Sequence, residues 1–322
     1  MIKTIQKLIS IGQQSLFKVD KTLQQPLLNN DEILDLLMRV QNNKQTRPHK
    51  HDISFRKIGD VRSIFRGYGM DYEESRQYQA GDDPRYMNWQ LSARTGQHYM
   101  KVFREERQPG IFILVDRRHT MRFGTKQRLK ITQAARAAAI TAFTAQEKNF
   151  SIGGVIIDED LEWFKENQNK QAVFDFIHRA ARPALPAFDQ DKIKEPDIED
   201  VLRLLNEILT TGSKVYLISD FHDLNKKSQS ILLQLSSLHE VHAIQITDKA
   251  EIEIPHAGDI SLKSVVSNKH YDINSNSRFE QNKFKVAANH FFSDKQQLFK
   301  NSAIDYQQVF TTDENIESKI KL

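Results

Sequence analysis

The sequence predicts an α/β protein built on a doubly wound, mostly parallel β-sheet, with a smaller α+β subdomain on its N-terminal side. Three apolar runs, IFILVD, SIGGVIID and KVYLISD, have the composition of strands that are buried on both faces. Stretches with helical periodicity separate these runs along the chain. Buried strands that alternate with helices are typical of parallel sheets with helices on both sides, and such sheets bind ligands at the carboxyl ends of their strands.

Residues 1–48 are predicted to form two helices and a linker. The first helix carries apolar residues from Ile2 to Leu16 near one face. A second helix begins after residues 30–31, and its apolar residues are Ile33, Leu34, Leu37 and Met38. Both helices are expected to dock on the body of the protein. The alternative is that the first helix, which is basic and amphipathic, makes a peripheral contact with a membrane surface. Residues 41–48 have the composition of a linker.

Residues 49–107 are predicted to form an irregular subdomain. Their apolar runs are short and mixed, and glycine and proline interrupt them at Gly67, Gly69, Gly81, Pro84 and Gly96. Such punctuation is typical of loops and short strands.

Residues 108–322 are predicted to form the main sheet domain. The run IFILVD, a helix from about residue 126 to 148 and the run SIGGVIID have the order of a βαβ unit. This helix is rich in alanine, and small side chains let a helix lie close to a sheet. Residues 161–164 are expected to pair with the preceding strand in a hairpin.

The alternation continues to the end of the chain. Further helices are predicted near residues 170–182, 198–209, 227–238 and 284–299. The runs KVYLISD and VHAIQIT are predicted as buried strands. The segment EIEIPHAGDISL alternates like an edge strand, and AIDYQQVFTT is predicted as the last strand of the chain.

The composition excludes several classes of site. The chain of 322 residues has no cysteine, so disulfides, thiolate metal sites and cysteine nucleophiles are excluded. With 39% hydrophobic and 27% charged residues, it has the composition of a folded protein. It lacks the run of about 18 apolar residues that a transmembrane helix needs, and its N-terminus lacks the apolar block of a signal peptide. We therefore predict a cytoplasmic protein without a transmembrane segment.

The charges are nearly balanced in number but uneven in position. Lysine and arginine exceed aspartate and glutamate by 46 to 42, a formal net charge of +4. Residues 39–66 and 101–136 are basic, whereas residues 189–200 are acidic. This bipolar pattern suits an acidic protein partner. Nucleic-acid binding is the less favoured alternative, because no motif of the usual nucleic-acid-binding set is present.

A motif before the first buried strand resembles a known family. Residues 66–124 read RGYGMDYEESRQYQAGDDPRYMNWQLSARTGQHYMKVFREERQPGIFILVDRRHTMRFG. This segment resembles the bacterial domain-of-unknown-function family number fifty-eight, in which a GDDxRxIxW-x-x-x-AR run precedes a von Willebrand factor A-type domain. The matching residues are Tyr78, Gly81, Asp82, Asp83, Arg85, Trp89, Ala93, Arg94, Lys101 and Phe103. Residues 218–221 and 248–255 also resemble the family, so the resemblance covers roughly residues 50–315.

The resemblance implies a von Willebrand A-like sheet that can hold a divalent cation at a metal-ion-dependent adhesion site. Such a site uses an Asp-x-Ser-x-Ser loop after the first strand, a threonine from a second loop and an aspartate from a third. On this basis residues 116–120 form the first loop and Asp220 belongs to the third. Arg118 replaces the middle serine, and the second loop, within residues 181–198, contains no serine or threonine.

These replacements disfavour a cation. A Mg²⁺ site demands near-octahedral oxygen ligands, and a guanidinium cannot become a ligand. Arg118 is expected to fill the position through a bidentate pair with Asp116 or Asp220. The alternative is that Arg118 points to solvent and waters complete a weak Mg²⁺ site on Asp116, Thr120 and Asp220. No other cofactor is predicted.

The resemblance also implies partnership with a MoxR-type AAA+ ATPase, in systems that assemble or activate a client protein. We therefore predict a non-enzymatic interaction module with a degenerate metal site, which binds an acidic side chain of its partner at the carboxyl edge of the sheet. The predicted contact residues are Asp116, Arg117, Arg118, His119, Thr120, Arg122 and Asp220. The alternatives are a metal-dependent hydrolase that uses Asp116 and Asp220, and a nucleic-acid-binding protein.

The family motif itself is predicted to be structural. Trp89 is expected to pack between the N-terminal subdomain and the sheet domain, and Arg85 or Arg94 to pair with an acid of the motif. The residues given this structural role are Gly81, Asp82, Asp83, Arg85, Trp89 and Arg94.

Overall fold

The computed structural model describes six stretches of the chain, namely residues 27–46, 71–79, 81–104, 110–184, 195–263 and 270–320. The first predicted helix lies outside these stretches. The chain divides into two compact units, one made of Met1–Pro48 with Pro109–Leu322 and the other of His49–Gln108.

The helices and strands follow one another as α1 (Asn30–Thr46), β1 (Asp71–Gln77), α2 (Trp89–Thr95), β2 (Tyr99–Arg104), β3 (Ile111–Asp116), α3 (Lys130–Glu147), β4 (Ile152–Ile157), β5 (Leu161–Asn167), α4 (Lys170–Ala180), α5 (Ile198–Ile208), β6 (Lys214–Ser219), α6 (Gln229–Leu238), β7 (Glu240–Thr247), β8 (Asp259–Lys263), β9 (His270–Asn274), α7 (Arg278–Asn301) and β10 (Asp305–Phe310).

The larger unit is built on a mainly parallel sheet. In the part of the chain that the structure describes, this sheet has six strands in the order β10-β7-β6-β3-β4-β5. All neighbours are parallel except β5, which returns antiparallel to β4 as the predicted hairpin. The predicted mixed α/β class with a mainly parallel sheet is therefore confirmed.

Helices cover both faces of this sheet. Side chains alternate along each strand, so Ile111, Ile113 and Val115 of β3 pack on one side with α1, α3 and α4. Phe112 and Leu114 pack on the other side with α5, α6 and α7. Every residue of β3 and β4 is buried, which explains why these strands read as unbroken apolar runs.

Helix α1 buries only part of the predicted apolar face. Ile33, Leu36 and Val40 are buried at spacings of three and four residues, the signature of one helical stripe. Leu34 and Met38 lie on the adjacent face, with 44% and 58% of their surface exposed. Both sets satisfy a helical period, so the period alone does not say which stripe faces the sheet.

The same helix extends into the predicted linker. Asn29 and Glu32 form a reciprocal capping pair, in which each side chain accepts from the backbone amide of the other at 2.8 and 3.1 Å. The helix then continues to residue 46, because the polar residues after 40 include no glycine or proline to stop it.

The predicted edge strand EIEIPHAGDISL forms only in part. Directly after β7, Asp248 caps a 3₁₀ turn over Lys249–Glu251, so these residues do not form a strand. Strand β8 then pairs antiparallel with β9 in a separate hairpin. The edge position beside β7 belongs to β10, which pairs with it in parallel.

The smaller unit contains the family motif. Strands β1 and β2 pair antiparallel, and α2 lies between them in the chain. Asn88 caps α2 by accepting from the Leu91 amide, and Gly96 ends it with a φ of 72°, which favours glycine. The expected pair between Arg85 and Asp83 is present at 2.7 Å, at the surface.

Other expectations for the motif need correction. Trp89 is 66% exposed, so the prediction that it packs in a buried position is wrong. It is the first residue of α2, directly after the cap residue Asn88. Asp82 pairs with Arg76 of β1 at 2.6 Å, not with Arg85 or Arg94.

Candidate functional site

Four buried aspartates follow four neighbouring strands at the carboxyl edge of the large sheet. Asp116 ends β3, Asp158 follows β4, Asp220 follows β6 and Asp248 follows β7. The carboxyl ends of parallel strands meet at one edge, which is why residues so distant in the chain come together. Sequence analysis found Asp116 and Asp220. The same signal, an acid directly after an apolar run, also marks Asp158 and Asp248.

Arg118 holds the carboxylate of Asp116 from within the same loop. Its Nε and Nη2 donate to the two oxygens of Asp116 at 3.0 and 2.8 Å, and its backbone amide donates to Oδ1 at 3.0 Å. The hydroxyl of Ser219, the last residue of β6, donates to Oδ2 at 2.6 Å. The expected bidentate pair between Arg118 and Asp116 is therefore present, and the guanidinium does not point to solvent.

The other side of the same guanidinium contacts Asp223. Nη1 and Nη2 donate to the two carboxylate oxygens of Asp223, the second at 3.2 Å. The Pro196 carbonyl accepts from Nη1 at 3.4 Å. Burial by itself would lower the pKa of Arg118, but the two carboxylates outweigh burial and raise it. Arg118 therefore carries a permanent positive charge between two acids.

Lys130 holds Asp220 in the same manner. The ammonium of this residue, the first of α3, lies 2.8 Å from Asp220 Oδ2 and 2.6 Å from Glu251 Oε1. Burial opposes the charge on Lys130, yet the two carboxylates raise its pKa. Burial would raise the pKa of Asp220, but the charge of Lys130 lowers it. Both partners are therefore charged.

Three arginines surround Asp158. Arg117 Nε and Arg182 Nη2 each donate to its Oδ2 at 3.0 Å, and Arg122 donates to its Oδ1. Arg117 also donates to backbone carbonyls at the end of α4, including that of Ala180. Burial would raise the pKa of Asp158, but the arginines lower it. This cluster joins the loop after β3 to the end of α4.

The carboxylate of Asp248 accepts its hydrogen bonds from neutral donors and not from a cationic side chain. The backbone amide and hydroxyl of Thr125 donate to its carboxylate at 3.1 and 2.5 Å. The hydroxyl of Thr311 donates at 2.7 Å and the amide of Ala250 at 2.9 Å. Burial would raise the pKa of Asp248, and these four hydrogen bonds lower it.

The remaining two residues of the first loop, His119 and Thr120, differ in their contacts. His119 donates its backbone amide to Glu195 at 2.8 Å, and its ring pairs with the same carboxylate, which raises the pKa of His119. Glu195 comes from the predicted second loop, so that loop supplies an acid rather than a hydroxyl. The Thr120 hydroxyl is buried and has no hydrogen-bond partner within the described residues.

A divalent cation does not fit this edge. Arg118 engages both oxygens of Asp116, and Lys130 neutralises Asp220, so each position that a cation would take holds a positively charged side chain. Mg²⁺ needs oxygen ligands, and neither cationic group supplies one. The described ranges contain no group of three or more histidine, aspartate or glutamate side chains suited to a metal. The interpretation of Arg118 as solvent-facing is therefore wrong.

The arginines predicted to contact a partner are enclosed within the protein. Arg117 has no exposed surface, and Arg118 and Arg122 are also buried. Their donors are taken by internal carboxylates and carbonyls, so in this conformation none of the three reaches a partner directly. This corrects the expectation of ready contact, because the sequence shows the charges of the loop but not the acids around them.

Lys295 of α7 braces the loop that carries Asp220 and Asp223. Its ammonium donates to the carbonyls of His222, at 3.2 Å, and Leu224, and it lies 4.8 Å from the centre of the Phe291 ring. Burial lowers the pKa of Lys295 to about 8. Sequence analysis missed Lys295, Lys130 and Asp223, because each has polar neighbours in the sequence and such segments are usually exposed.

Comparison with known proteins identifies a family and several relatives. The family model described as "Protein of unknown function DUF58" matches residues 74–291. Uncharacterized proteins of Mycobacterium bovis and Mycobacterium tuberculosis are 26% identical over 211 residues, which is 65% of this chain. The chain spans 65% of the length of these curated relatives.

Solved structures show more distant similarity. The protein BatB of Bacteroides thetaiotaomicron is 12% identical with a TM-score of 0.41, and an aerotolerance-related membrane protein of Bacteroides fragilis is 13% identical with a TM-score of 0.43. Each match covers 66% of this chain and 94% of the other. A membrane spanning protein of Vibrio fischeri is 10% identical with a TM-score of 0.22, over 62% of this chain and 89% of its own.

The names of two of these structures contradict the cytoplasmic location predicted from the sequence, and that prediction is withdrawn. One is called an aerotolerance-related membrane protein and the other a membrane spanning protein. Among the helices that the structure describes, none combines the length and apolar character needed to cross a bilayer.

Proposed function

The chain belongs to the DUF58 family of proteins of unknown function, and from this premise we propose that it is a non-enzymatic interaction module for a MoxR-type AAA+ ATPase. The large sheet is, in this proposal, a von Willebrand A-like domain whose metal site has become an ion-pair site. The partner binds at the carboxyl edge of the sheet, and the complex assembles or activates a client protein.

One observation carries the proposal, namely the guanidinium of Arg118 between Asp116 and Asp223. In the resembled domains a cation in this region receives an acidic side chain of the partner. Arg118 supplies a positive charge at the corresponding loop position without a metal. A guanidinium forms bidentate pairs with carboxylates, so it can serve the same recognition.

The ion pairs also argue against hydrolysis at this edge. A metal-dependent hydrolase on Asp116 and Asp220 needs both carboxylates free to hold a cation and a water. A general base needs a carboxylate within reach of its substrate. In the described structure each of the two is buried and bonded to a cationic side chain. The geometry therefore supports binding better than it supports hydrolysis.

Exposed lysines surround the ion-pair site. Lys126 follows β3, Lys226 and Lys227 follow β6, and Lys249 follows β7, and all four are exposed. No carboxylate of the described residues pairs with any of them. Unpaired positive charge around a recognition loop increases the rate of association with an acidic partner.

Affinity capture from a native extract tests the proposed partnership. The tagged protein is used with and without ATP, after nuclease treatment to remove complexes bridged by nucleic acid. We expect enrichment of a MoxR-type ATPase that is lost in the double variant Lys226→Glu/Lys227→Glu. The matched control is Lys283→Glu/Lys300→Glu, which reverses two exposed charges on α7 and should capture the ATPase normally. Absence of the ATPase, or equal capture by both double variants, would overturn the proposal.

Titration calorimetry with Mg²⁺ tests the metal-free character of the site. We expect no binding in the micromolar range by the wild-type protein, because Arg118 and Lys130 repel the cation. The variant Arg118→Ser removes one charge and returns a hydroxyl to the loop, so weak binding should appear. Micromolar binding by the wild type that Asp116→Ala abolishes would show a metal site instead.

A further inference from the structure

We propose that Asp223 is an internal ligand of Arg118, an autoinhibitory carboxylate in the position that an acidic side chain of a protein partner takes on binding. The partner's identity rests on the proposed function. The exchange of carboxylates at Arg118 does not, and it is tested separately below.

The two carboxylates around Arg118 differ in how firmly they are held. Asp116 engages Nε and Nη2 from the interior, where its own side chain has no exposed surface. The backbone amide of Arg118 and the hydroxyl of Ser219 donate two further hydrogen bonds to it. Asp223 engages Nη1 and Nη2 from outside, and 37% of its side chain is exposed. Breaking an interior pair leaves a buried charge without a partner, whereas an exposed partner can leave into water at little cost. Asp223 is therefore the exchangeable ligand.

The loop allows this exchange without a change of backbone. Lys295 binds the carbonyls of His222 and Leu224, the two residues on either side of Asp223. Phe221 is buried and packs on Phe299 with ring centres 4.8 Å apart. Its φ of 52° is a left-handed conformation that a bulky residue adopts only when its surroundings enforce it. With the backbone anchored on both sides, rotation of the Asp223 side chain is sufficient to free the outer edge of the guanidinium.

The position that Asp223 vacates beside Arg118 matches a carboxylate in shape and charge. The outer edge of Arg118 presents N–H groups of Nη1 and Nη2, and these already donate to the two carboxylate oxygens of Asp223. A partner aspartate or glutamate replaces one monoanion with another, so the local charge is unchanged. A phosphate dianion would add negative charge beside Asp116 and Asp220. The site is thus built for a carboxylate.

Chemical rescue tests the site without any partner. The variant Asp223→Ala removes the internal ligand, and sodium acetate serves as the probe. We expect the thermal midpoint of this variant to rise with acetate concentration in a saturable manner, beyond the response to equal sodium chloride. If the variant is unfolded without acetate, recovery of folded protein on its addition is the readout, and Asp223→Ser provides a second vacated site.

Controls separate specific binding from general salt effects. Wild-type protein should respond equally to acetate and chloride, because Asp223 fills the position. The matched control is Asp160→Ala, which removes an exposed acid at the same edge, after β4, and should behave as wild type. An acetate response that is absent from Asp223→Ala, or equal in Asp160→Ala, would overturn the proposal.

Affinity for the captured ATPase tests the autoinhibition. The variant Asp223→Asn keeps the volume of the side chain but removes its charge, so the partner no longer competes with an internal carboxylate. We expect about tenfold tighter binding than wild type, since the competent state is no longer a minor fraction. Equal or weaker binding would overturn the inhibitory role. If wild type captures no ATPase, the proposed function fails, while the acetate result still decides the site.

Discussion

At the scale of single residues, Arg118 determines the chemistry of the carboxyl edge. Its guanidinium makes bidentate contact with Asp116 and reaches Asp223, whereas the metal-ion-dependent adhesion site that the resemblance implies would have a serine in its place. A neutral hydroxyl there would leave Asp116 to a metal, because a buried carboxylate needs a compensating charge. Arg118 provides that charge as a residue of the same loop, in place of a bound metal ion.

The first prediction concerns the loss of this charge. Arg118→Ala leaves Asp116 buried with Ser219 and backbone as its remaining partners, and breaking such a buried pair costs about 3–5 kcal/mol. Urea denaturation should show a loss of stability in this range. Arg203→Ala is the matched control, because Arg203 is exposed and its contacts with acids lie at 3.7 and 4.0 Å, so its removal should cost less than about 1 kcal/mol. Equal losses in the two variants would contradict the prediction.

The second prediction concerns His239, which lies between α6 and β7. This residue is buried, and neither ring nitrogen has a hydrogen-bond partner among the described residues. Burial lowers its pKa below the ordinary value of 6.5. The unfolded chain therefore binds a proton that the folded protein does not, so stability should fall as the pH decreases below about 6.5 toward the lowered pKa.

Comparison of variants isolates this contribution. His119, whose pKa is raised, changes stability in the opposite direction, so the wild-type profile alone is not diagnostic. His239→Leu should lose less stability than wild type between pH 7 and pH 5, measured by urea denaturation at each pH. The control His178→Gln changes an exposed histidine of α4 and should follow the wild-type profile. A His239→Leu profile parallel to wild type would refute the assignment.

At the scale of elements, close packing of α4 on β4 depends on Gly154. A Cβ at this position would lie 2.6 Å from the Phe176 ring and 2.7 Å from the Ile113 carbonyl oxygen. The glycine therefore allows the helix to approach the sheet with Phe176 buried against it.

The third prediction follows from that contact. Gly154→Ala should destabilise the protein by about 1–3 kcal/mol, the cost of overpacking a tight core. Gly154→Ala should cost less stability when it is introduced into Phe176→Leu than when it is introduced into the wild type. The smaller leucine side chain relieves one of the two clashes. Denaturation midpoints of the four proteins form a double-mutant cycle. Strict additivity of the two changes would show that the clash with Phe176 is not the cause.

At the scale of the whole molecule, the proposed recognition of a partner depends on charge. The net charge is only +4, but exposed lysines collect at the carboxyl edge around an already neutralised core of ion pairs. Interactions among exposed charges weaken with salt, whereas the buried pairs of Arg118 and Lys130 are shielded from it. Salt therefore distinguishes recognition from folding.

The fourth prediction is that salt weakens the complex before it affects the fold. As ionic strength rises from about 0.1 M to 1 M, the screening length falls from about 10 Å to 3 Å, so affinity for the captured ATPase should drop at least tenfold. Circular dichroism over the same range should show an unchanged fold. The Lys226→Glu/Lys227→Glu variant should show a smaller salt dependence than wild type. Salt-independent binding would point to an apolar interface.

The sequence by itself determined the sheet and the position of the buried acids at its carboxyl edge. Buried strands such as β3 and β6 are local apolar runs, and their order in the chain sets a mainly parallel sheet because each connection includes a helix. The acids that end these runs, Asp116 and Asp220, are therefore predictable as neighbours at one edge. The hairpin of β4 and β5 follows from a short turn in the same way.

Only the tertiary structure decided which cation neutralises which acid. Lys130 and Asp220 are 90 residues apart, and Arg118 and Asp223 are 105 residues apart. No local pattern marks such pairs, because a charged residue in a loop looks the same in sequence whether it is solvated or buried against a distant carboxylate. The exposure of Trp89 and the choice of the buried face of α1 have the same origin, since burial depends on what the rest of the chain places beside a residue.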